Sequence, residues 1–283
     1  MSGFKDFTLH LRLNYNFFIL SAPFFLGALY LPHILQIKSF VFLFLLVYIF
    51  LFGGANAYNS YFDKDEGPIG GLEYPPRMEK WMYFGTWILQ LIGLSFSFLI
   101  GHVCGLLFAF SVILFWLYSS PHFRFKGKPI LSFIVVGLGT VFNATLMGYT
   151  SAGGETMSFA LIIGALGATF LILSMYPFSQ AYQIEEDTKR GDLTFASKYG
   201  IQGIKWSYLS LFLSGVLLMA YSFIFNMWLA VGTLIIGLLA YGLIWQVIKN
   251  ISGQREEYRK VMRTKYVGGI AFTLAMAILL IIL

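Results

Sequence analysis

Charged residues and cysteine are both scarce in this chain. Asp, Glu, Lys and Arg make up 11% of its 283 residues, whereas 58% are hydrophobic and the mean hydropathy is +0.75. This balance excludes a soluble domain and indicates a protein that crosses a membrane several times. The one cysteine, Cys104, lies in an apolar run, so disulfides cannot form the framework of the fold. No cleavable leader is evident near the N-terminus, and we expect the first span to direct insertion.

Nine apolar runs follow one another along the chain, each near the ~20 residues that cross a bilayer as a helix. They cover residues 15–37, 39–61, 81–101, 103–119, 130–150, 157–182, 206–226, 228–248 and 262–283. No Asp or Glu lies within any run, whereas ion and proton carriers usually place acids at mid-membrane depth. We therefore predict an all-α polytopic membrane protein, a single domain over 1–283 with nine transmembrane helices around a central cavity.

The basic residues alternate with the runs in a way that predicts the topology. If the N-terminus is cytoplasmic, 18 of the 19 Lys and Arg residues fall in cytoplasmic segments, and Lys38 is the exception. This asymmetry predicts a cytoplasmic N-terminus and an extracytoplasmic C-terminus, in a cell membrane of bacterial or archaeal type. It also accounts for the net charge of +6, so we expect no nucleic-acid partner.

Two groups of acids follow the second and sixth runs. The first is Asn-Ser-Tyr-Phe-Asp-Lys-Asp-Glu, residues 59–66, and the second is Gln-Ile-Glu-Glu-Asp-Thr-Lys-Arg-Gly-Asp, residues 183–192. Carboxylates at the C-terminal end of a membrane helix are unfavourable unless a cation is near. The alternative for either group alone is an ordinary solvated loop outside the membrane.

Each group begins with an amide and a carboxylate four residues apart, Asn59 with Asp63 and Gln183 with Asp187. Side chains at this spacing share a helix face, so each pair can point at one spot. Oxygen ligands suit Mg²⁺, which proteins usually share with substrate phosphates. The residues therefore favour a diphosphate held by Mg²⁺ at a membrane surface.

These motifs resemble those of the UbiA superfamily of intramembrane prenyltransferases. The family has one Asn/Asp-x-x-x-Asp motif after helix 2 and another after helix 6, where this chain has residues 59–63 and 183–187. A third segment, Tyr-Ser-Ser-Pro-His-Phe-Arg-Phe-Lys-Gly-Lys-Pro at 118–129, is similar to a Tyr-Ser-x-Pro…Arg-x-Lys-Gly-x-Pro segment of several branches. The resemblance extends over the whole chain in helix count and over three loops in motif.

The chain departs from the family pattern at three positions. Ser60 stands where many members have Asp, Gly67 stands where the last Asp of the first motif would be, and Gln183 opens the second motif. We expect Asp65 and Glu66 to compensate for Gly67. An amide such as Gln183 can ligate a cation but adds no charge.

The resemblance implies an enzyme that transfers a prenyl group from a prenyl diphosphate to a lipophilic acceptor with the help of Mg²⁺, at the cytoplasmic face. Asp63 and Asp187 would be the catalytic residues. The expected metal ligands are Asn59, Asp63, Asp65, Gln183, Asp187 and Asp192. The expected substrate-binding residues are Arg124, Lys126 and Lys189 for the diphosphate, Tyr61, Tyr118 and Tyr182 for the carbocation, and Asn16 and Asn143 for the acceptor.

Several alternatives stay open. The basic residues also serve the topology, and the two Asn residues would equally well form hydrogen bonds between helices. Family acceptors include quinone precursors, tetrapyrroles, carotenoids and lipid ethers, and some relatives cyclise the prenyl chain without an acceptor. From a different class, the missing carboxylates would also suit a transporter or lipid-binding membrane protein without catalytic activity.

Overall fold

The regular secondary structure of residues 2–283, the part that this computed structural model describes, is helical. Helices α1–α14 cover, in order, Ser2–His10, Leu13–Leu20, Ala22–Ala28, Ile37–Leu45, Phe52–Asp63, Lys80–Ile100, His102–Ser119, Pro129–Val136, Asn143–Ser151, Phe159–Ser174, Ile184–Arg190, Phe195–Ser222, Met227–Ile248 and Tyr258–Ile282. Residues 2–283 contain no β-strand, and Ile69 and Leu72 form an isolated antiparallel bridge. The all-helical prediction is therefore confirmed.

Eight helical segments of the described chain are long and apolar enough to cross a membrane. They are Ile37–Asp63, Lys80–Ile100, His102–Ser119, Pro129–Ser151, Phe159–Arg190, Phe195–Ser222, Met227–Ile248 and Arg255–Ile282. Each of the eight runs predicted from residue 39 onwards corresponds to one of them. The protein is thus an integral membrane protein, as its composition indicates.

The first predicted run, 15–37, is not one long helix. It consists of α2 and α3, which are separated at Ser21, followed by turns and bends up to Gln36. Pro23 lies in the first turn of α3 and has no N–H with which to continue the helix from α2. The hydroxyl of Tyr48 donates a 2.8 Å hydrogen bond to the carbonyl of Leu20 and so satisfies a group at the break.

Irregular turns also interrupt three of the long segments. Residues Leu46–Leu51 and Gly137–Phe142 form π-helical turns within the spans that end at Asp63 and Ser151. Pro177 begins a 3₁₀ stretch, Pro177–Gln183, between α10 and α11. Such turns change the direction in which the following side chains point. The second acid motif is therefore presented by a 3₁₀ turn and the short helix α11.

The helices pack around a cavity. Helix α10 runs along α12, α6 along α7, and α14 along both α2 and α3. The closest crossing joins α3 and α9, where Gly27 lies against the backbone of Thr145 and Gly148 lies against the backbone of Phe24. A methyl group at either glycine would overlap main-chain atoms, so only glycine permits this approach.

The segment 64–79 folds over one end of the cavity. Helix α5 ends at Asp63, and Lys64 takes a left-handed conformation with φ of 51°. Ile69 and Gly70 line the cavity, and Gly71, with φ of 84°, packs against the ring of Tyr15. The left-handed conformation of Gly71 favours glycine at this turn.

Candidate active site

The two acid motifs meet at one cavity of about 660 Å³. Its polar end is formed by the C-terminal end of α5, the end of α7 with the residues that follow it up to Lys126, the 3₁₀ turn Pro177–Gln183 and α11. Five of the six expected metal ligands line it, namely Asn59, Asp63, Asp65, Gln183 and Asp187. The sixth, Asp192, lies behind the cavity wall.

Asn59 and Asp63 are held together on the last turn of α5. The amide Nδ2 of Asn59 donates to Oδ2 of Asp63 at 2.8 Å and to the hydroxyl of Ser119 at 3.2 Å. This pairing is the i, i+4 contact that the spacing predicts. Because the Asn59 Nδ2 donates to Asp63 and Ser119, the Asn59 Oδ1 is the atom left to ligate a cation.

A group of three charged residues lies beside Asp63. Lys126 Nζ is 2.5 Å from Asp63 Oδ1 and 3.3 Å from Asp192 Oδ2, and Arg124 donates two hydrogen bonds to Asp192 at 2.7 and 2.8 Å. Burial alone would raise the pKa of Asp192, but the hydrogen bonds from Arg124 and the charge of Lys126 hold that pKa below its ordinary value. Asp192 therefore positions Lys126 and Arg124 in this structure.

The second motif is arranged differently from the first. Gln183 ends the 3₁₀ stretch and Asp187 lies in α11, so both line the cavity without contacting each other through a hydrogen bond. Arg190, at the end of α11, reaches across to Asp65 at 2.6 Å. This ion pair connects the two acid motifs. Lys189 does not join them, because its side chain is 74% exposed and pairs with Glu185 at the surface.

Gly67, one departure from the family pattern, lies against Glu186. A side chain at this position would meet Oε2 of Glu186, whose Oε1 accepts a 3.0 Å hydrogen bond from the N–H of Glu66. A larger residue at position 67 would therefore require the Glu186 carboxylate to move. Asp65 reaches the cavity instead, whereas Glu66 is exposed.

The acids of this site suit a Mg²⁺ ion that is shared with a substrate. No three His, Cys, Asp or Glu side chains of residues 2–283 converge as a complete metal cage. Mg²⁺ does not need one, since it is usually bound by one or two carboxylates together with substrate phosphates and water. Asp63 Oδ1 is buried and lies 2.5 Å from Lys126 Nζ, with Arg124 and Arg190 nitrogens at 3.8 and 4.0 Å. A metal ion at this oxygen would therefore take the place of these basic side chains as its partner.

The aromatic and amide residues expected at the site divide into two groups. Tyr118, Tyr182 and Asn16 line the cavity. Tyr61 lies outside it and packs at an angle against aromatic rings that include Tyr83, at a centroid distance of 5.0 Å. Asn143 also lies outside, because its Nδ2 donates to the carbonyl of Leu107 at 2.6 Å and to Ser111, which joins α9 to α7. For Asn143 the structure favours the hydrogen bond between helices.

The polar residues of the cavity that were not expected from the motifs include Arg12, Tyr15, Arg190 and Lys265. Burial lowers the pKa of Arg12, and the nearby Asp65, Tyr15 and Tyr182 act in the opposite direction. Arg190 could have been found from its position three residues after Asp187, on nearly the same helix face. Arg12 and Tyr15 lie near the start of the chain and Lys265 lies in the last helix, all far in sequence from any motif.

The rest of the cavity is apolar and elongated. It follows α13 from Trp228 to Ile244, a distance of about 24 Å at 1.5 Å per helical residue. The opposite wall is α14, which also contributes Phe272 and Leu279. A cavity with charged groups at one end and a hydrocarbon-lined arm beyond them suits an amphiphile with an anionic head and a long apolar chain.

Comparison with known proteins gives a family for this arrangement. The model of the UbiA prenyltransferase family matches residues 17–267. A curated protein from Methanosarcina mazei, named digeranylgeranylglyceryl phosphate synthase, is 30% identical over 131 residues, and the match covers 43% of this chain and 43% of that protein.

Solved structures share the fold at low sequence identity. A UbiA homologue from Archaeoglobus fulgidus bound to DMAPP and Mg²⁺ has a TM-score of 0.72 at 18% identity, covering 95% of this chain and 99% of that one. The same homologue bound to GPP and Mg²⁺ has a TM-score of 0.69 at 19% identity, with 95% and 99% covered. A digeranylgeranylglyceryl phosphate synthase structure has a TM-score of 0.64 at 18% identity, with all of both chains covered.

Proposed function

This chain belongs to the UbiA prenyltransferase family, and we propose that it transfers a prenyl group from a prenyl diphosphate to an acceptor dissolved in the membrane. Family membership confirms the expected enzyme class, a prenyltransferase. The observation that carries the fuller proposal is the single cavity in which Asp63 and Asp187, each from a separate acid motif, lie at the end of a long apolar arm.

The polar end supplies what a prenyl diphosphate requires. We propose that Asp63 and Asp187 hold Mg²⁺, with the oxygens of Asn59, Gln183 and Asp65 as further ligands; GPP and DMAPP are bound together with Mg²⁺ in the A. fulgidus homologue. When bound, Mg²⁺ would act as a Lewis acid on the leaving diphosphate.

The basic residues at this end bind and orient the diphosphate. Lys126 and Arg190 line the cavity and now pair with Asp63 and Asp65, so both are placed to exchange a carboxylate for a phosphate oxygen. Arg124, held by Asp192, lies just behind them. Lys189 has no place in this proposal because it faces solvent.

The apolar arm would take the prenyl chain and exclude water from the allylic carbon. Tyr118 and Tyr182 face the cavity, and aromatic rings attract a nearby cation by about 0.5–2 kcal/mol each. Water exclusion matters because an allylic cation formed in the presence of water would be hydrolysed. The arm opens between α13 and α14, which contact each other only sparsely.

For the acceptor, the similarity to a digeranylgeranylglyceryl phosphate synthase favours a glycerol lipid ether over the other family acceptors. Quinone precursors, tetrapyrroles and carotenoids are the alternatives within the same activity. Cyclisation of the prenyl chain itself is the alternative that needs no acceptor. A transporter or lipid-binding role without chemistry would leave the convergence of Asp63 and Asp187 unexplained.

We propose in addition that the whole chain, 1–283, is one catalytic unit with nine crossings. The broken pair α2 and α3 would be the ninth, because it packs along α9 and α14 within the bundle. With the N-terminus in the cytoplasm, nine crossings put the C-terminus outside and the polar end of the cavity at the cytoplasmic face, in agreement with the basic residues.

Substitution of the two central acids tests the activity. Purified protein in detergent is given geranylgeranyl diphosphate, a lipid acceptor and Mg²⁺, and released diphosphate and lipid product are both measured. Asp63→Asn and Asp187→Asn should each lose most turnover, while Glu185→Gln, an exposed acid on α11, should retain it. Substantial turnover in either Asp variant would remove that residue from the site. Diphosphate release without a lipid adduct would favour a cyclase.

A further inference from the structure

The glycines of helix α13 differ in their surroundings. Gly237 packs on the preceding helix, because a Cβ there would lie 2.7 Å from the side chain of Val216 in α12. Gly242 is exposed on the outer face of the helix. Gly232 is half-buried and lines the cavity, yet a Cβ at this position would have no atom of residues 2–283 within 4 Å apart from its neighbours along the helix. The space for a side chain at position 232 is therefore part of the cavity.

A glycine in this position of a helix needs a reason. Glycine is less favourable within a helix than larger residues are, because it loses more conformational freedom on folding. Membrane helices usually offset this cost by close packing on a neighbouring helix, as at Gly27 and Gly148. Gly232 makes no such contact within the described chain. Its missing side chain instead enlarges the cavity.

Gly232 lies in the deep part of the apolar arm. At the other end of α13, Ile244 lies beside Gly268, one turn of α14 beyond Lys265, and so marks the polar end of the cavity. The distance from Ile244 to Gly232 along the helix axis is about 18 Å at 1.5 Å per residue. Trp228, the last residue of α13 that lines the arm, is about 6 Å further.

This distance corresponds to a defined part of a prenyl chain. Three consecutive bonds of a trans chain span about 3.8 Å, so one prenyl repeat, with four main-chain carbons, spans about 5 Å. Two repeats therefore extend about 10 Å from the diphosphate and four repeats about 20 Å. A donor whose first repeat begins at the level of Ile244 would place its fourth repeat beside Gly232 and its first two repeats well short of it.

Buried side chains enclose the arm near the level of Gly232. Met219 of α12 and Met276 of α14 both line the cavity and are both buried. Met276 lies about 16 Å along α14 from Lys265, which is close to the depth of Gly232. A chain that passes between these two side chains stays within the protein up to this level. The alternative is that the chain leaves earlier into the lipid between α13 and α14.

We propose that Gly232 determines the longest prenyl chain that the arm accepts, because the absence of a side chain there leaves room for a fourth repeat. A larger residue would end the arm near the third repeat. The proposal rests on the proposed prenyl transfer and adds the residue that selects the donor by length.

Binding of donors of different length tests the proposal. Geranyl, farnesyl and geranylgeranyl diphosphates share a head group and have two, three and four repeats. Their dissociation constants are measured by calorimetry on the purified full chain with Mg²⁺ and without acceptor. Gly232→Leu should weaken geranylgeranyl diphosphate about tenfold to a hundredfold, because the last repeat is no longer buried, and should change geranyl diphosphate by less than about twofold.

Control variants separate chain length from general damage. Gly242→Leu adds the same side chain to the same helix outside the cavity and should leave the affinities for all three donors unchanged. Gly268→Leu narrows the arm near its polar end and should weaken all three. Gly232→Val serves if Gly232→Leu does not fold, and should also weaken the longest donor selectively. Equal weakening of all three donors by the substitution at position 232, or an unchanged affinity for geranylgeranyl diphosphate, would overturn the proposal.

The wild-type protein distinguishes failure of this proposal from failure of the proposed function. If wild type binds geranylgeranyl diphosphate and transfers its chain, but substitution of Gly232 has no length-dependent effect, the transferase activity stands and the role of Gly232 is refuted. In that case the chain leaves the arm between α13 and α14. If wild type binds none of the three donors, the proposed transferase activity itself fails, and the role of Gly232 fails with it.

Discussion

Substitution of Asp192 can distinguish between two roles for this residue: ligand of the metal, or partner that positions its basic neighbours. The family pattern suggests that it ligates the metal, whereas the structure places it behind the cavity wall in contact with Arg124 and Lys126. The substitution Asp192→Asn keeps the size of the side chain and removes its charge. One of its two oxygens becomes an amide nitrogen, which would then face the guanidinium as a second donor.

The contacts of Asp192 set the expected loss of stability and turnover in Asp192→Asn. Breaking a fully buried ion pair costs about 3–5 kcal/mol. Here the Arg124 side chain is 27% exposed and Lys126 keeps Asp63 as a partner, so we expect about 2–3 kcal/mol. At an unfolding entropy of about 2.1 cal/mol/K per residue, that loss corresponds to a fall in Tm of about 3–5 °C for a chain of this size. Turnover should fall about tenfold to a hundredfold, because Lys126 and Arg124 lose their alignment.

The assay is turnover against Mg²⁺ concentration, together with Tm. If Asp192 only positions its neighbours, the Mg²⁺ concentration for half-maximal turnover should change by less than about twofold in Asp192→Asn, whereas Asp63→Asn should raise it strongly. An Asp192→Asn protein that needs as much extra Mg²⁺ as Asp63→Asn would refute this reasoning and restore Asp192 as a ligand.

The pH dependence gives an independent check on the same ion pair. A carboxyl whose folded-state pKa is depressed contributes fully above its unfolded value of about 3.9, and the contribution is lost as the pH falls through the folded value. The Tm difference between wild type and Asp192→Asn should therefore be similar at about pH 8 and about pH 6. A difference that vanished near pH 6 would mean that the pKa of Asp192 is raised, not lowered.

Three further predictions follow from other parts of the molecule. Asp65→Asn should raise the Mg²⁺ requirement more than Glu73→Gln does, because Asp65 lines the cavity and Glu73 pairs with an arginine outside it; equal shifts would contradict this. Gly148→Ala should destabilise the protein by about 1–3 kcal/mol, whereas Gly242→Ala, which meets open space, should not; the comparison of Tm values decides. A reporter fused after Leu283 should be extracytoplasmic, and a cytoplasmic one would mean that the number of crossings is even.

Much of the architecture was predictable because hydropathy and charge act locally. Each long run shows its length and its polar ends directly, and eight of them form the segments expected. The exceptions have local causes that hydropathy does not register. Pro23 breaks the first run and Pro177 changes the end of the sixth from α-helix to 3₁₀. Each proline removes a backbone donor, an effect that a hydropathy average does not contain.

The site was predictable where its residues follow one another in sequence. Asn59 and Asp63 pair as their spacing indicates, and Lys126 lies beside Asp63. Contacts between distant segments could not be predicted from spacing. Arg190 joins Asp65 across two loops, and Lys265 meets Tyr15 after almost the whole chain has intervened. A lysine among the basic residues of a cytoplasmic loop looks the same in sequence whether it faces lipid head groups or a cavity.

The glycine crossing of α3 and α9 has a consequence for how the protein is made. Helix α3 is synthesised about 120 residues before α9, so its partner is absent during much of translation. In that interval α2 and α3, which we propose as the first crossing, can be held by the next span through the bonds from Tyr48 to Leu20 and from Asn16 to Tyr48. We therefore expect these two elements and the span that ends at Asp63 to insert together, and loss of the Tyr48 hydroxyl should reduce the yield of inserted protein more than it reduces the activity of the molecules that assemble.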